Sequence, residues 1–260
     1  MIKTEREMEM RLLGKVAFVT AAGSGIGRAG ALAMAAEGAH VVVTDRDVNA
    51  AKRTATEIGD AGGVAEALGL DMTDTSAIQG TLEDVISRHG RLDVLHSHAG
   101  IQVEGTLEQV TPEQMDASWA LNVRSHFVAA RAVVGQMRAQ GGGSIIITAS
   151  NSGVQHDAGM IAYTTTKHAA VAMTRQMAKD YARDNIRVNA LCPGFVDTPF
   201  NAGFERQMGG RDKLEQYVSQ TIPMGRFAST EEIGKAIVYL ASDDSSFMTG
   251  AAFVVDGGEC

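Results

Sequence analysis

The run Lys15-Val16-Ala17-Phe18-Val19-Thr20, continued by Ala21-Ala22-Gly23-Ser24-Gly25-Ile26-Gly27, decides how the rest of the chain is read. A short apolar run bounded by a glycine-rich turn predicts a buried strand. The alanine-rich residues 26–37, closed by Gly38, predict the helix that follows. The alternation then recurs. Strands are expected at 40–44, 64–68, 92–96, 144–149, 186–192 and 252–255, and helices at 48–58, 73–88, 112–139, 160–183 and 230–240. Pro112 stands where the first turn of a helix accepts proline. Residues 193–224, with scattered glycines and polar groups, read as one long irregular stretch, a lid or binding loop. Such βαβ alternation predicts an α/β fold with a parallel, doubly wound sheet and helices on both faces. Ligands in these sheets sit at the carboxyl ends of the strands, where strand order reverses.

Composition narrows the function. The 260 residues contain 45 % apolar side chains and 29 glycines, enough for one large core with tight turns. A single domain over residues 12–260 is expected, preceded by a charged extension at residues 1–11. Net charge is −8, so no broad basic surface is available for nucleic acid or anionic membranes. Any phosphate must be held by backbone and helix ends. Cys192 and Cys260 lack metal-ligand spacing, so no metal is expected, and they suit a reducing compartment. No apolar run approaches a membrane span, and the N-terminal residues lack the apolar core of a signal peptide. A soluble, cytoplasmic protein acting on a small molecule is expected.

The glycine turn is the first candidate site. Gly23, Gly25 and Gly27, with Ser24 and Ile26, lie between strand and helix, where backbone N–H groups can face a pyrophosphate. Asp45, eighteen residues past Gly27 at the end of the second strand, can bond both adenosine ribose hydroxyls and would repel a 2′-phosphate. That favours NAD over NADP, although the neighbouring Arg46 could contact a phosphate. Asp45 would also serve as a plain strand-end or capping acid.

The second candidate is Ser150 with Tyr163 and Lys167. Tyr163 and Lys167 are four residues apart and share one helix face. A phenol is a poor base at neutral pH, and a nearby ammonium favours its phenolate. Tyr163 so assisted can shuttle a proton. Ser150 ends the fifth strand and can present its hydroxyl to the same place. Alone, the tyrosine–lysine pair would pass as an ordinary helix-surface pair.

These motifs, taken in order, resemble a known family. Residues 20–27, Leu70-Asp71-Met72, His98-Ala99-Gly100, Leu121-Asn122-Val123, Ser150, Tyr163-Thr-Thr-Thr-Lys167, Pro193-Gly194 with Thr198, and Val255-Asp256-Gly257-Gly258 are similar to those of the short-chain dehydrogenase/reductases of the compact, single-domain subclass. The resemblance implies a Rossmann-like fold of about seven strands, a nicotinamide dinucleotide, and hydride transfer between a carbinol and a carbonyl. It further implies that Asp71 and Met72 hold the adenine, that Ala99 and Gly100 pack along the cofactor, and that Val196 and Thr198 meet the carboxamide. Lys167 would bond the nicotinamide ribose, Ser150 the substrate oxygen, and Asn122 would anchor a water behind Lys167. Two departures stand out: Ala21 replaces the family's usual glycine, and Ser97-His98 replaces two asparagines. Ser97 and His98 are expected to donate to neighbouring backbone, and His98 reads as a structural histidine.

Substrate groups are expected from Gln102, Ser152, Gln155, His156 and Asp157, with Phe195, Phe200, Asn201 and Phe204 from the later loop. The cluster near Ser150 is polar, which favours a sugar, polyol or hydroxy acid over a steroid or long acyl chain. Residues 155–157 equally read as a solvated turn. Two other functions fit less well: reduction of a 3-oxoacyl thioester with NADPH, which Asp45 opposes, and a non-catalytic NAD-binding regulator, which has no need of Tyr163 and Lys167. Family resemblance also implies a homo-tetramer or homo-dimer through the helices at 112–139 and 160–183, where Ala169, Ala170, Ala172 and Ala178 would allow close packing.

Overall fold

The structure, a computed structural model, describes residues 10–260. The expected N-terminal extension therefore lies outside the described residues, except for its last two. Of these, Arg11 forms ion pairs with Glu37 at 2.5 Å and Asp244 at 3.5 Å.

Seven parallel strands form one sheet in the order β3-β2-β1-β4-β5-β6-β7. They are β1 (Val16–Val19), β2 (His40–Asp45), β3 (Val64–Gly69), β4 (Val94–Ser97), β5 (Gly143–Thr148), β6 (Ile186–Pro193) and β7 (Ala252–Val255). The connecting helices are α1 (Gly25–Ala36), α2 (Val48–Asp60), α3 (Thr75–His89), α4 (Pro112–Trp119), α5 (Ser125–Ala139), α6 (Ile161–Tyr181), α7 (Ala202–Met208), α8 (Arg211–Thr221) and α9 (Thr230–Ala241). Strand order reverses between β1 and β4, so the crevice expected of a doubly wound sheet opens there.

The two-residue period of the strands sorts their side chains to two cores. Val16 and Phe18 of β1, with Ile145 and Ile147 of β5, meet Ile78 and Leu82 of α3, Val133 and Met137 of α5, and Val171 of α6. Ala17, Val19 and Ile146 face the other way, onto Met34 of α1, Ile58 of α2, and Ile233 and Ile237 of α9. Gly30 lets α1 and α9 approach closely, since a side-chain carbon there would lie 2.8 Å from Ile237 Cδ1. Helix starts are fixed by local chemistry: Thr111 with Gln114 and Ser229 with Glu232 form capping boxes for α4 and α9, and Asp74 caps α3.

Two expectations are corrected. The helix from Pro112 to Ala139 is continuous but carries a π-turn at Ala120–Arg124 that widens it around buried Asn122. Residues 193–224 are not irregular: they contain α7 and α8. Leu214, Val218 and Ile222 recur every fourth residue and close a third, small core with Phe195, Phe204, Met208 and Phe227. Gly209 and Gly210, both at positive φ, break the segment into two short helices.

At the opposite ends of the strands from the crevice, His40, Glu66 and His89 come together, and Arg88 bonds both carboxylate oxygens of Glu66 at 3.0 and 2.8 Å. Among the described residues, no helix is long and apolar enough to cross a membrane.

Candidate active site

The carboxyl ends of β1, β2, β4, β5 and β6 border a cleft of about 1210 Å³. At one end lie Asp45, Arg46, Asp71 and Met72; at the other lie Ser150, Tyr163 and Lys167. Between them the glycine turn forms the floor, with Gly23, Ser24, Gly25 and Ile26 lining it.

The geometry of that turn suits a dinucleotide. Ser24 occupies the N-cap of α1 without capping it by its side chain, so the first-turn N–H groups stay available to an anion. Gly27 does not line the cleft. It lies beneath it, where a side-chain carbon would stand 2.2 Å from the carbonyl oxygen of Ala21. Ala21 itself adopts φ 51°, the left-handed conformation that glycine would take without strain. The chain keeps the turn despite the substitution.

Asp45 accepts hydrogen bonds from the backbone N–H groups of Gly23 and Asp47, each at 3.0 Å. It thus ties β2 to the glycine turn while still lining the cleft. Asp71 accepts from the Thr73 N–H and hydroxyl, each at 2.8 Å. Those bonds, helped by the charge of Arg46, hold its carboxyl below the usual range. Ala99, Gly100, Pro193, Gly194, Val196 and Thr198 all line the cleft.

The expectation for Ser97 and His98 is corrected. The Thr20 hydroxyl, not these side chains, ties the strand ends, accepting from the N–H groups of His98 at 2.8 Å and Ala99 at 3.1 Å. Ser97 Oγ pairs with His126 Nδ1 at 2.7 Å. His98 packs against the glycine turn, and burial with the Lys167 charge pushes its imidazole down to about 3. It is a neutral, structural ring.

At the catalytic end, Lys167 is almost wholly buried, and its Nζ donates to the Thr148 carbonyl at 3.0 Å. The same Nζ lies 5.5 Å from the centre of the Tyr163 ring. Burial pushes the ammonium down to about 8. Burial likewise pushes the Tyr163 phenol up to about 12, opposed by its hydrogen bond with Ser150 and reinforced by Asp157 and Cys192. Desolvation of the phenolate is the largest contribution to that rise.

Asn122 does not line the cleft. It accepts from the Ile101 N–H at 2.8 Å and donates to the Ile101 carbonyl and the Thr166 hydroxyl at 2.9 and 3.0 Å. It pins the loop after β4 behind Lys167. Of the expected substrate groups, Ser152, His156, Asp157, Phe195, Phe200, Asn201 and Phe204 line the cleft, whereas Gln102 and Gln155 do not. Gln102 turns away to bond Glu104.

Asn151 and Glu259 are among the lining residues that the sequence did not single out. Asn151 follows Ser150, accepts its hydroxyl at 3.0 Å, and donates to Glu259 at 2.9 Å. Glu259 directly follows the Val255–Gly258 motif, but its partner lies 108 residues away in sequence, so no local spacing connects the two.

A family profile described as enoyl-(acyl carrier protein) reductase matches residues 20–259. A 2-keto-3-deoxy-L-fuconate dehydrogenase of Xanthomonas campestris is 39 % identical, with 95 % of this chain and 81 % of that one covered. A 3-oxoacyl-(acyl-carrier-protein) reductase of Thermotoga maritima is 36 % identical, covering 96 % and 99 %. The crystal structure of a gluconate 5-dehydrogenase from Burkholderia cenocepacia, solved with NADP and tartrate, superposes with a TM-score of 0.90 at 30 % identity over 97 % of this chain and 98 % of that one. Fold, cleft and sequence agree, and the chain belongs to the short-chain dehydrogenase/reductase family of NAD(P)-dependent oxidoreductases.

Proposed function

We propose that this oxidoreductase interconverts a small, polar secondary alcohol and its ketone, with Tyr163 as the proton-transferring group and NAD as the preferred cofactor. The observation that carries the reading is the convergence of Ser150, Tyr163 and Lys167 at one end of a cleft whose other end holds Asp45. When bound, the nicotinamide supplies or accepts the hydride. The phenol oxygen of Tyr163 gives its proton to the forming alkoxide, or takes it back in oxidation. The Ser150 hydroxyl donates to the same substrate oxygen and stabilises its developing charge. Lys167 holds positive charge beneath the ring. Among the lining residues, Asn151, Ser152 and Asp157 supply polar contacts, and Phe195, Phe200 and Phe204 supply apolar ones.

The preference for NAD rests on Asp45, whose carboxylate faces the adenosine end and would repel a 2′-phosphate. Self-association is also proposed. Trp119 of α4, Phe127 of α5 and Ile161 of α6 are 44 %, 53 % and 43 % exposed, apolar groups suited to a contact between copies. Ala170 and Ala178, expected at that contact, face the chain's own core instead.

Reduction of NAD and NADP by the purified protein with a panel of polyols, sugars, hydroxy acids and hydrophobic alcohols tests the reading. Tyr163→Phe should keep NADH binding and lose about 100- to 10,000-fold in turnover. Turnover near wild type in that variant would refute the assignment.

A further inference from the structure

The carboxylate of Glu259 is brought into the catalytic end of the cleft by the turn that follows β7. There it accepts from the Asn151 amide at 2.9 Å, and Asn151 in turn accepts from the Ser150 hydroxyl at 3.0 Å. The approach is close: a side-chain carbon on Gly194, at the end of β6, would lie 3.2 Å from Glu259 Oε2. Asp157, on the loop after β5, lines the same end and accepts from the Ser152 hydroxyl. Two carboxylates therefore stand beside the groups that would hold the reacting substrate oxygen.

Positive charge at this end is committed elsewhere. The Lys167 ammonium is buried against the Thr148 carbonyl. His156 stacks on His168 with ring centres 4.8 Å apart. The two arginines of the cleft, Arg46 and Arg53, lie with Asp45 and Asp47 at the adenosine end, Arg53 pairing with Asp47 at 3.9 Å. A substrate carboxylate at the catalytic end would meet like charges without a guanidinium to hold it. Hydroxyl groups can donate to both carboxylates.

We infer that Glu259 and Asp157 set substrate specificity by charge, admitting uncharged polyhydroxylated alcohols and turning away those that carry a carboxylate. The inference rests on the proposed alcohol oxidoreductase function and narrows it to sugars and polyols. It sets this chain apart from relatives named for acid substrates.

The selection depends on pH. Burial pushes the Glu259 carboxyl up to about 7, Asp157 and Asp256 add to the rise, and the Asn151 hydrogen bond opposes it. The Cys260 thiol also faces it, and Tyr163, Lys167 and His156 line the same cleft. A carboxyl so raised is neutral below that value and charged above it. Rejection of anions is therefore full at about pH 8 and relaxes toward about pH 6.

Threitol and tartrate share a four-carbon backbone and differ in having terminal CH₂OH or carboxylate groups. Their affinities for the NADH-saturated protein, read by nicotinamide fluorescence or calorimetry, test the inference without requiring turnover. Threitol should bind the wild type at least about tenfold more tightly than tartrate at pH 8. The nearly isosteric Glu259→Gln and Asp157→Asn proteins, checked by melting for an intact fold, should each raise the affinity for tartrate relative to threitol by about tenfold. Glu259→Gln should also lose the pH dependence of the ratio. Tartrate binding as tightly as threitol to the wild type, an unchanged ratio in both variants, or no detectable threitol binding would overturn the inference. Alcohol turnover that requires Tyr163, combined with a flat ratio, removes the charge selection and leaves the proposed function standing. The expected ratio without turnover of any alcohol does the reverse.

Discussion

Gly27 and Ala21 touch across the floor of the cofactor turn: a side-chain carbon on Gly27 would stand 2.2 Å from the Ala21 carbonyl oxygen, and Ala21 holds that carbonyl in place at φ 51°. The left-handed conformation costs an L-residue about 1–2 kcal/mol. Ala21→Gly relieves this strain at the entropic cost of a glycine, leaving a net gain of about 0.5–1 kcal/mol. Thermal melting should rise by about 1–3 °C. Gly27→Ala should do the opposite and abolish NADH binding, because backbone has to move. An unchanged or lower melting temperature for Ala21→Gly would show the strain to be absorbed elsewhere.

Lys167 is buried at a cost. Its ammonium titrates at about 8, below its usual 10.5, because the site is desolvated. The unfolded chain holds this proton up to about 10.5 and the folded chain only to about 8. The penalty on folding is therefore complete below pH 8 and fades as pH rises between those values. Lys167→Met keeps the chain length and loses both the charge and the bond to Thr148. We expect it to gain about 1–3 kcal/mol at pH 7, to lose that gain toward pH 10.5, and to be catalytically dead. Denaturant titrations at pH 7 and at alkaline pH measure this; a destabilised variant at pH 7 would contradict it.

Asp45 also carries a prediction on cofactor choice. Asp45→Ser removes the carboxylate that would face a 2′-phosphate and leaves Arg46 and Arg53 beside the same end of the cleft. The ratio of kcat/KM for NADP over NAD should rise at least about tenfold. The variant should also lose some stability, since the bonds to the Gly23 and Asp47 N–H groups go with the side chain. An unchanged ratio would transfer the discrimination to other residues.

The small third core predicts a separable substrate effect. Leu214 is fully buried between Val218 and the aromatic groups over the cleft. Leu214→Ala opens a cavity worth about 2–5 kcal/mol. Because that core stands apart from the two against the sheet, the loss should loosen α7 and α8 first. KM for the alcohol should rise several-fold while kcat stays within about twofold of wild type. Equal losses in kcat would tie these helices to the chemistry instead.

Much of this molecule was written in local patterns. The two-residue alternation of β1 and β5, the glycines after β1, and the four-residue spacing of Tyr163 and Lys167 each depend on a few consecutive residues, so the strand and helix periods expose them. The periodicity of Leu214, Val218 and Ile222 was equally local, but Gly209 and Gly210 hid it by breaking the segment. Tertiary structure alone decided the rest. The rise of the Tyr163 phenol follows from how completely other elements cover it, a sum over distant residues that no spacing records. Glu259 reaches Asn151 because β7 adds beside β6 and returns the end of the chain to the cleft. The sequence by itself determined the fold and the family and named the groups proposed for the reaction. Packing determined which of those groups face the cleft, what charge they carry there, and which distant carboxylate stands beside them, because burial and electrostatic fields come from neighbours in space.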